Sequence, residues 1–202
     1  MKRVAVVVTL ATLAMTVTAS AATEWFYERQ PLPEGQTVEV PANGPFTLYL
    51  KVPHQVRVEV ACAVSGVEAF WNTPEAGMDK TRTIAFSSCT SPCGEVTVTP
   101  RLPWGGSILG LPSPYALVDE WRETRIALTC GGVNYGTFSG TLHPVSGDGD
   151  TQGGDETDSF VDFRNGQVLY NPSGDSLTLT GYYRFGYKVG KQVRGRITGE
   201  VR

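Results

Sequence analysis

The sequence has little of what most enzyme classes require. It contains only two histidines, and neither a G-x-S-x-G nor an H-E-x-x-H motif occurs in its 202 residues. These absences exclude the common serine-hydrolase and zinc-peptidase signatures. No C-x-x-C pair occurs either, which argues against a structural zinc site built on the four cysteines.

Long apolar runs are also missing after the N-terminus, so we expect no transmembrane segment, which needs about 18 or more apolar residues. The N-terminus itself resembles a signal peptide: Lys2 and Arg3 precede an apolar run from Val4 to Met15, and Ala19-Ser20-Ala21 is a small-x-small cleavage site. We therefore predict cleavage after Ala21, no lipid anchor because the first cysteine is Cys62, and a secreted or extracytoplasmic mature chain.

Positive charge is scarce as well. Without Lys2 and Arg3 the chain keeps 15 basic residues against 20 acidic ones, and this mildly acidic balance disfavours a nucleic-acid partner. The 23 glycines and 13 prolines favour short strands and turns over long helices.

The four cysteines predict two disulfides, because their number is even and the expected compartment is oxidising. Three pairings are possible. We favour Cys62–Cys89 with Cys93–Cys130, since each would join neighbouring β segments. The alternative joins Cys89 to Cys93 and Cys62 to Cys130, and a tight turn at Thr90-Ser91-Pro92 could permit it.

Period-two alternation predicts the fold class. Val56, Val58, Val60, Cys62 and Val64 share one face of a strand. About a dozen such short strands predict an all-β fold, an antiparallel sandwich or barrel with at most one short helix. We expect an N-terminal arm over 22–35, whose aromatic residues pack on the body, and one domain over 36–202, with a sub-lobe junction near 100–114.

Proline and glycine mark the expected turns. We expect a turn at Pro41–Pro45, and we expect Pro100–Pro114 to stay out of any central strand. Tyr115–Arg122 is compatible with a helical turn or a strand. Residues 146–158 are predicted to form an exposed acidic loop, and Asn165-Gly166 predicts a hairpin.

Few residues suggest a reactive or ion-binding site, and we assign no catalytic, cofactor or metal residue. Asp148-Gly-Asp150-Thr-Gln152-Gly153 resembles the start of a calcium loop, but Ser159 replaces the glutamate at its twelfth position. A solvated acidic loop is therefore the expectation, with weak calcium binding as the alternative.

The histidines and one acidic group are the places where hydrolysis could occur. His54 and His143 lie at predicted turns, where solvated surface histidines are common. Asp119, Glu120 and Glu123 lie near Trp104 and Trp121, as paired carboxylates of a glycosidase would.

Basic residues gather near the C-terminus among aromatic ones. They would form a solubilising strand face, or else contact an anionic polymer or acidic partner, although core packing is expected for most of the aromatics. The basic residues are Arg184, Lys188, Lys191, Arg194, Arg196 and Arg202, and the aromatic ones are Tyr182, Tyr183, Phe185 and Tyr187.

The central stretch reads C…F-S-S-C-T…V-T-V-T-P-R-L-P-W, with Cys62, Phe86, Cys89 and Thr90 in its first half and Trp104 at its end. It resembles a diffuse group of uncharacterised exported β-rich proteins common in actinobacteria. The resemblance implies an exported β-fold and a Cys62–Cys89 bridge, while Cys93 departs from the simplest form of the pattern. It carries no activity.

Together these features predict a secreted, non-enzymatic binding or structural module of the bacterial envelope or extracellular space. Its partner would be an extracellular protein or a cell-wall polymer. The alternatives are a small secreted hydrolase of glycan or ester bonds and an inhibitor of extracellular proteases, for which a disulfide-stapled loop at Thr90–Cys93 would be suitable.

Overall fold

A computed structural model of the chain describes residues 22–55, 57–110, 117–148, 159–163, 166–189, 192–195 and 197–201. Every regular element in these ranges is a β-strand, which confirms the all-β expectation. No helix there is long and apolar enough to cross a membrane. The strands are β1 (Thr23–Tyr27), β2 (Gln30–Pro31), β3 (Thr37–Lys51), β4 (Val58–Asn72), β5 (Gly77–Thr90), β6 (Val96–Pro100), β7 (Trp104–Gly110), β8 (Leu117–Cys130), β9 (Val133–Leu142), β10 (Val145–Asp148), β11 (Ser159–Asp162), β12 (Gln167–Tyr170), β13 (Ser176–Phe185), β14 (Tyr187–Val189), β15 (Gln192–Arg194) and β16 (Ile197–Val201).

Eight of these strands close into an antiparallel barrel, in the order β3-β4-β5-β7-β8-β10-β11-β13 and back to β3. The closing pair is β13 on β3, which runs in register from Ser176 opposite Lys51 to Phe185 opposite Ala42. Closure therefore selects a barrel over a sandwich, and it removes the free sheet edges that a sandwich would leave. Strands β6 and β9 pair with β8, and β12 pairs with β9 and β13.

The predicted turn at Pro41–Pro45 is wrong, because β3 runs through it without interruption. The regular pairing of β3 with β13 skips from Phe46 to Asn43 at this point. A proline is tolerated at such an irregularity, since no ladder hydrogen bond from its nitrogen is needed there. A side chain on Gly44 would overlap the Tyr182 carbonyl, so glycine is what permits the close approach.

The expectation that Pro100–Pro114 contains no central strand is also wrong. Strand β7 lies between β5 and β8 in the barrel wall. Its residues, Trp104–Gly110, fall between Pro103 and Pro112, so the prolines border the strand without entering it. The stretch Tyr115–Arg122, compatible with a helical turn or a strand, is strand from Leu117 onward. The first residues of the expected loop 146–158 belong to β10, which ends at Asp148.

The N-terminal arm closes one end of the barrel. Strand β1 pairs with β16 on one side and with β2 on the other, and Trp25 is fully buried against Phe70, with ring centroids 4.9 Å apart. This confirms for Trp25 that the aromatics of the arm pack on the body. The expected leader, residues 1–21, and Arg164 and Asn165 lie outside the described residues. The hairpin predicted across Asn165-Gly166 is wrong, because β11 and β12 each pair with β13 and not with each other.

Both favoured disulfides are confirmed, Cys62–Cys89 and Cys93–Cys130. The first joins β4 to β5, and the second joins the loop after β5 to the end of β8. Cys62 is buried on the inward face of β4, as its place in the alternation predicts.

Candidate functional site

Three carboxyl side chains lie inside the barrel, on three strands of one part of its wall. Glu68 on β4, Asp79 on β5 and Asp119 on β8 are each between 1% and 3% exposed, and we call them the acid cluster. Strand register brings them together: Glu68 lies opposite Thr81, two residues along β5 from Asp79, and β7 separates Asp79 from β8. Buried carboxyl groups are rare unless paired with a cation, so the acid cluster is the most unusual chemical feature of the core.

The two aspartates of the cluster lie close enough for each carboxyl to shift the pKa of the other. Trp121 Nε1 donates to Asp119 Oδ2 over 2.6 Å. The remaining oxygens, Asp79 Oδ2, Asp119 Oδ1 and both oxygens of Glu68, are buried without a hydrogen bond of ordinary geometry. Such a pair holds together only while it keeps a proton, because two adjacent carboxylates repel each other.

Burial governs the protonation of all three acids. Desolvation raises the pKa of Asp119 to about 6, against opposing hydrogen bonds from Asp79 and Trp121. Desolvation and the neighbouring Asp119 charge raise the pKa of Asp79 well above its usual range. Desolvation does the same for Glu68, and the Thr81 hydroxyl offsets only part of that effect. The three acids therefore keep their protons to higher pH than exposed carboxyl groups do.

A tyrosine hydroxyl reaches the same region from the opposite wall. Tyr183 on β13 is fully buried, and its hydroxyl has no hydrogen-bond partner. The Tyr183 hydroxyl occupies the space that a side chain on Gly66 would need. Gly66 lies two residues before Glu68, on the same face of β4. Burial, together with the charge of Glu68, raises the pKa of Tyr183, so this phenol stays neutral.

Glycine makes room for the Asp79 carboxylate on the neighbouring strand. Gly106 of β7 lies directly opposite Asp79, and a Cβ at Gly106 would overlap both carboxylate oxygens. Gly105, the next residue, would meet nothing within 4 Å. Glycine is therefore needed at 106, but not at 105, to leave space for the Asp79 carboxylate.

Trp25 of β1 covers the cluster from the end of the barrel. Its indole lies over Gly77, where an added Cβ would stand 2.8 Å from Trp25 Cδ1 and 2.9 Å from Ile108 Cγ2. Gly77 is the inward position next to Asp79, and Ile108 lies opposite Asp119. The indole therefore packs at this end of the barrel, beside the inward neighbours of both aspartates, and we call it the Trp25 plug.

A single asparagine fastens the plug. Asn72 Oδ1 accepts from the Trp25 backbone N–H over 2.7 Å, and Asn72 Nδ2 donates to the carbonyls of Trp25 and Leu32 over 3.0 and 2.8 Å. A further bond runs from Thr23 Oγ1 to the Ile108 carbonyl, at 2.7 Å. All four of these hydrogen bonds lie at the rim of the barrel.

This arrangement does not suit glycoside hydrolysis. Glycosidases of both classes need two carboxyl groups that a substrate can reach, whereas Asp79 and Asp119 are both buried in the barrel interior. The predicted group is also divided by strand alternation: Asp119 points inward and is 1% exposed, while Glu120 faces outward. Among the described residues, no group of three or more His, Cys, Asp or Glu is arranged to hold a metal ion.

Glu120 instead organises a polar group on the outer surface. It pairs with Arg122 and with His143, whose Nε2 lies 3.2 Å from Glu120 Oε2. Partial burial opposes the effect, but the hydrogen bonds from Arg122 and His143 lower the pKa of Glu120. The Ser107 hydroxyl contacts Arg122 Nη2 at 3.2 Å. His143 is half-exposed and His54 lies exposed in the turn after β3.

The opposite end of the barrel carries both disulfides. The loop Thr90–Glu95 lies between Cys89 and β6, and the turn Gly131–Gly132 packs beside it; together we call them the disulfide tip. Within the loop, Gly94 N–H donates to the Ser91 carbonyl over 3.2 Å, and Cys93 N–H donates to Ser91 Oγ over 3.3 Å.

Two contacts join the halves of the tip. Gly131 N–H donates to the Glu95 carbonyl over 2.9 Å. Gly131 has φ +58°, and a Cβ on it would stand 2.6 Å from the Cys93 carbonyl oxygen, so only glycine lets the turn approach the loop this closely. Thr90, Pro92 and Gly94 are exposed, and the neighbouring Val133 is 53% exposed.

The remaining predicted features are settled only in part. Tyr183 and Phe185 pack in the core, as expected, and Arg184 lies over the Tyr182 ring at 4.7 Å. The side chains of the rest of the basic group, and most of the predicted calcium loop (149–158), lie outside the described residues. Calcium binding there stays a prediction.

The sequence analysis missed Glu68 and Asp79, although a signal exists. Glu68 continues the inward series of Cys62 and Val64 along β4 at a spacing of two. An acid at an inward position of a long alternating strand indicates a buried carboxyl group.

Comparison with protein-family models, curated proteins and solved structures finds no match to this chain.

Proposed function

We propose that the chain is an exported, non-enzymatic binding module that contacts an extracellular protein or a cell-wall polymer through its disulfide tip. The observation that carries this proposal is the clamping of the Thr90–Glu95 loop, which has a disulfide at Cys89 and another at Cys93. Binding loops are commonly displayed on rigid β scaffolds, and a loop ordered before binding loses less conformational entropy when a partner is bound.

The chemistry of the tip fits a surface that docks closely on a partner. Its exposed residues are small or apolar, with Glu95 as the charged member of the loop. Exposed Val133 adds apolar area beside the loop. The interior acids support the non-enzymatic part of the proposal, since all three are buried where a substrate does not reach them.

Site-specific photo-crosslinking tests the proposal. A benzophenone amino acid is placed at Pro92 in the tip and, as the matched control, at Glu75, which is exposed in the turn at the other end of β4. Both proteins are incubated with culture supernatant and cell envelope of the source organism. We expect a specific adduct from Pro92 only.

Adducts of equal yield from both positions would place the contact elsewhere, and the absence of any adduct from Pro92 would reject the tip as the binding surface. Competition by unlabelled protein separates a saturable partner from random capture. A Thr90→Arg variant should lose that competition, while Thr141→Arg, on the exposed side of β9, should retain it.

A further inference from the structure

We propose that the Trp25 plug is a pH-gated closure, which holds the barrel end shut while the acid cluster keeps its protons and releases β1 when the cluster ionises. The proposal concerns the end of the barrel opposite the disulfide tip, so it stands or falls independently of the binding function. It rests on where the acids lie, on what covers them and on how the cover is attached.

The first step is the position of the acids beneath the indole. The Trp25 indole and the Ile108 side chain both approach Gly77. Gly77 is the inward neighbour of Asp79 along β5, and Ile108 lies opposite Asp119 across the β7–β8 pair. Departure of the indole would therefore let water enter beside the inward neighbours of both aspartates. Ionisation therefore favours any state in which β1 has left the rim.

The second step is the composition of the interior around the pair. The charged or titratable groups that face it are Glu68 from β4 and Tyr183 from β13, and Arg122 of β8 acts on it from the outer face. Strands β1 and β7 present Trp25 and Ile108. No cation among the described residues therefore lies inside to stabilise a second carboxylate.

Two further acids lie near the plug but on the other faces of their strands. By alternation along the chain, Glu24 points away from the side of β1 that carries Trp25, and Asp162 points away from the side of β11 that carries the inward Val161. Glu24 moves with β1, so a variant of the interior acids is needed to separate their effect from that of Glu24.

The third step is the attachment of the cover. Three hydrogen bonds, two between Trp25 and Asn72 and one from Thr23 to Ile108, and the packing of one indole join β1 to the barrel wall. Its strand partners, β16 and β2, belong to a separate sheet. Strands β3 and β4, by contrast, are paired over fourteen residue positions. A short noncovalent element of this kind can open without unfolding the barrel.

The sign of the pH effect follows from linkage. Burial raises the pKa values of the acids in the closed state, so the closed state binds more protons than an open, hydrated one. Its advantage is complete below the ordinary carboxyl pKa, near 4, and is lost as the pH rises through the closed-state value of about 6 for Asp119 and through the raised pKa values of Asp79 and Glu68. The plug should close in acid and open toward neutral and alkaline pH.

Hydrogen exchange measured by mass spectrometry tests the gate. Exposure times are scaled so that intrinsic exchange is equal at about pH 4.5 and about pH 8. Peptides covering 22–31 report on β1, and peptides covering 58–66 report on β4 as the internal reference. We expect the protection of β1 to fall by roughly 10- to 100-fold, because each unit of pKa shift is worth tenfold, while β4 keeps its protection.

Two variants assign the effect to the interior acids. Asp79→Asn combined with Asp119→Asn removes the titrating pair with little change of shape, and the loss of β1 protection at the higher pH should then be much smaller, with Glu68 as the remaining buried acid. Glu120→Gln, the adjacent acid on the outer face, is the matched control and should behave as the wild type.

Protection of β1 that stays constant with pH in the wild type would overturn the proposal. Equal loss of protection in β1 and β4 would also overturn it, since that outcome means the whole barrel is destabilised. A double variant that keeps the wild-type pH profile would assign the effect to other groups. If the double variant does not fold, the wild-type comparison of β1 with β4 still decides.

Discussion

The two ends of the barrel are held by different kinds of interaction. At the disulfide tip, Cys62–Cys89 and Cys93–Cys130 fix a loop and a turn covalently. At the other end, β1 is held by hydrogen bonds to Asn72 and by the burial of Trp25 above the acid cluster. A covalent clamp does not depend on protonation, whereas a cover over buried acids does. One barrel can therefore present a permanent surface at one end and a conditional one at the other.

The largest effect should come from removing a disulfide. Replacing Cys62 and Cys89 together by alanine opens a link between residues 27 positions apart, and we expect a loss of about 3 kcal/mol of unfolding free energy, chiefly through the unfolded state. Urea denaturation at about pH 5 and about pH 8 measures it.

If the disulfide tip is independent of the acid cluster, this loss of unfolding free energy is equal at both pH values. The Cys93→Ala/Cys130→Ala variant serves as a second covalent case and should also show no pH dependence in its loss. A loss that changed with pH would mean that the clamp and the acid cluster are coupled.

Asn72→Ala should weaken the other end by about 2 kcal/mol, because it leaves the Trp25 backbone and the Leu32 carbonyl without their partners. Exchange of the β1 amides should rise first. Asn134→Ala is the matched control, since its Oδ1 accepts only from Gly136 N–H in an exposed turn. If β1 and β4 became unprotected together in Asn72→Ala, β1 would not be a separable element.

A glycine pair on β7 gives a smaller and more local test. In Gly106→Ala the new methyl group overlaps the Asp79 carboxylate, and we expect a cost of about 1–2 kcal/mol from overpacking. Gly105→Ala, which meets nothing within 4 Å, should change the unfolding free energy by less than about 1 kcal/mol. Equal effects on the midpoint of urea unfolding would show that the acid does not occupy the place described for it.

Much of the architecture is readable from local pattern. Alternation places Val60, Cys62 and Val64 on one face, and the even cysteine count in a predicted exported chain leads to the two bridges that are found. The errors at Pro41–Pro45 and Pro100–Pro114 have different causes. Within β3 a proline excludes a strand only where its nitrogen would have to donate, and pairing across the barrel decides where that is. Around β7 the prolines stand outside a strand short enough to fit between them.

The amino-acid sequence by itself determined the all-β class, the inward phase of each strand and the chemistry available for two disulfides, because these depend on neighbours two residues apart and on residue type. Only the tertiary structure decided that the sheet closes on itself and that Glu68, Asp79 and Asp119 meet beneath Trp25. Those residues come from four strands and from positions up to 94 apart in the chain. Their pKa values and their cover arise from burial, a property that exists only once the barrel has closed.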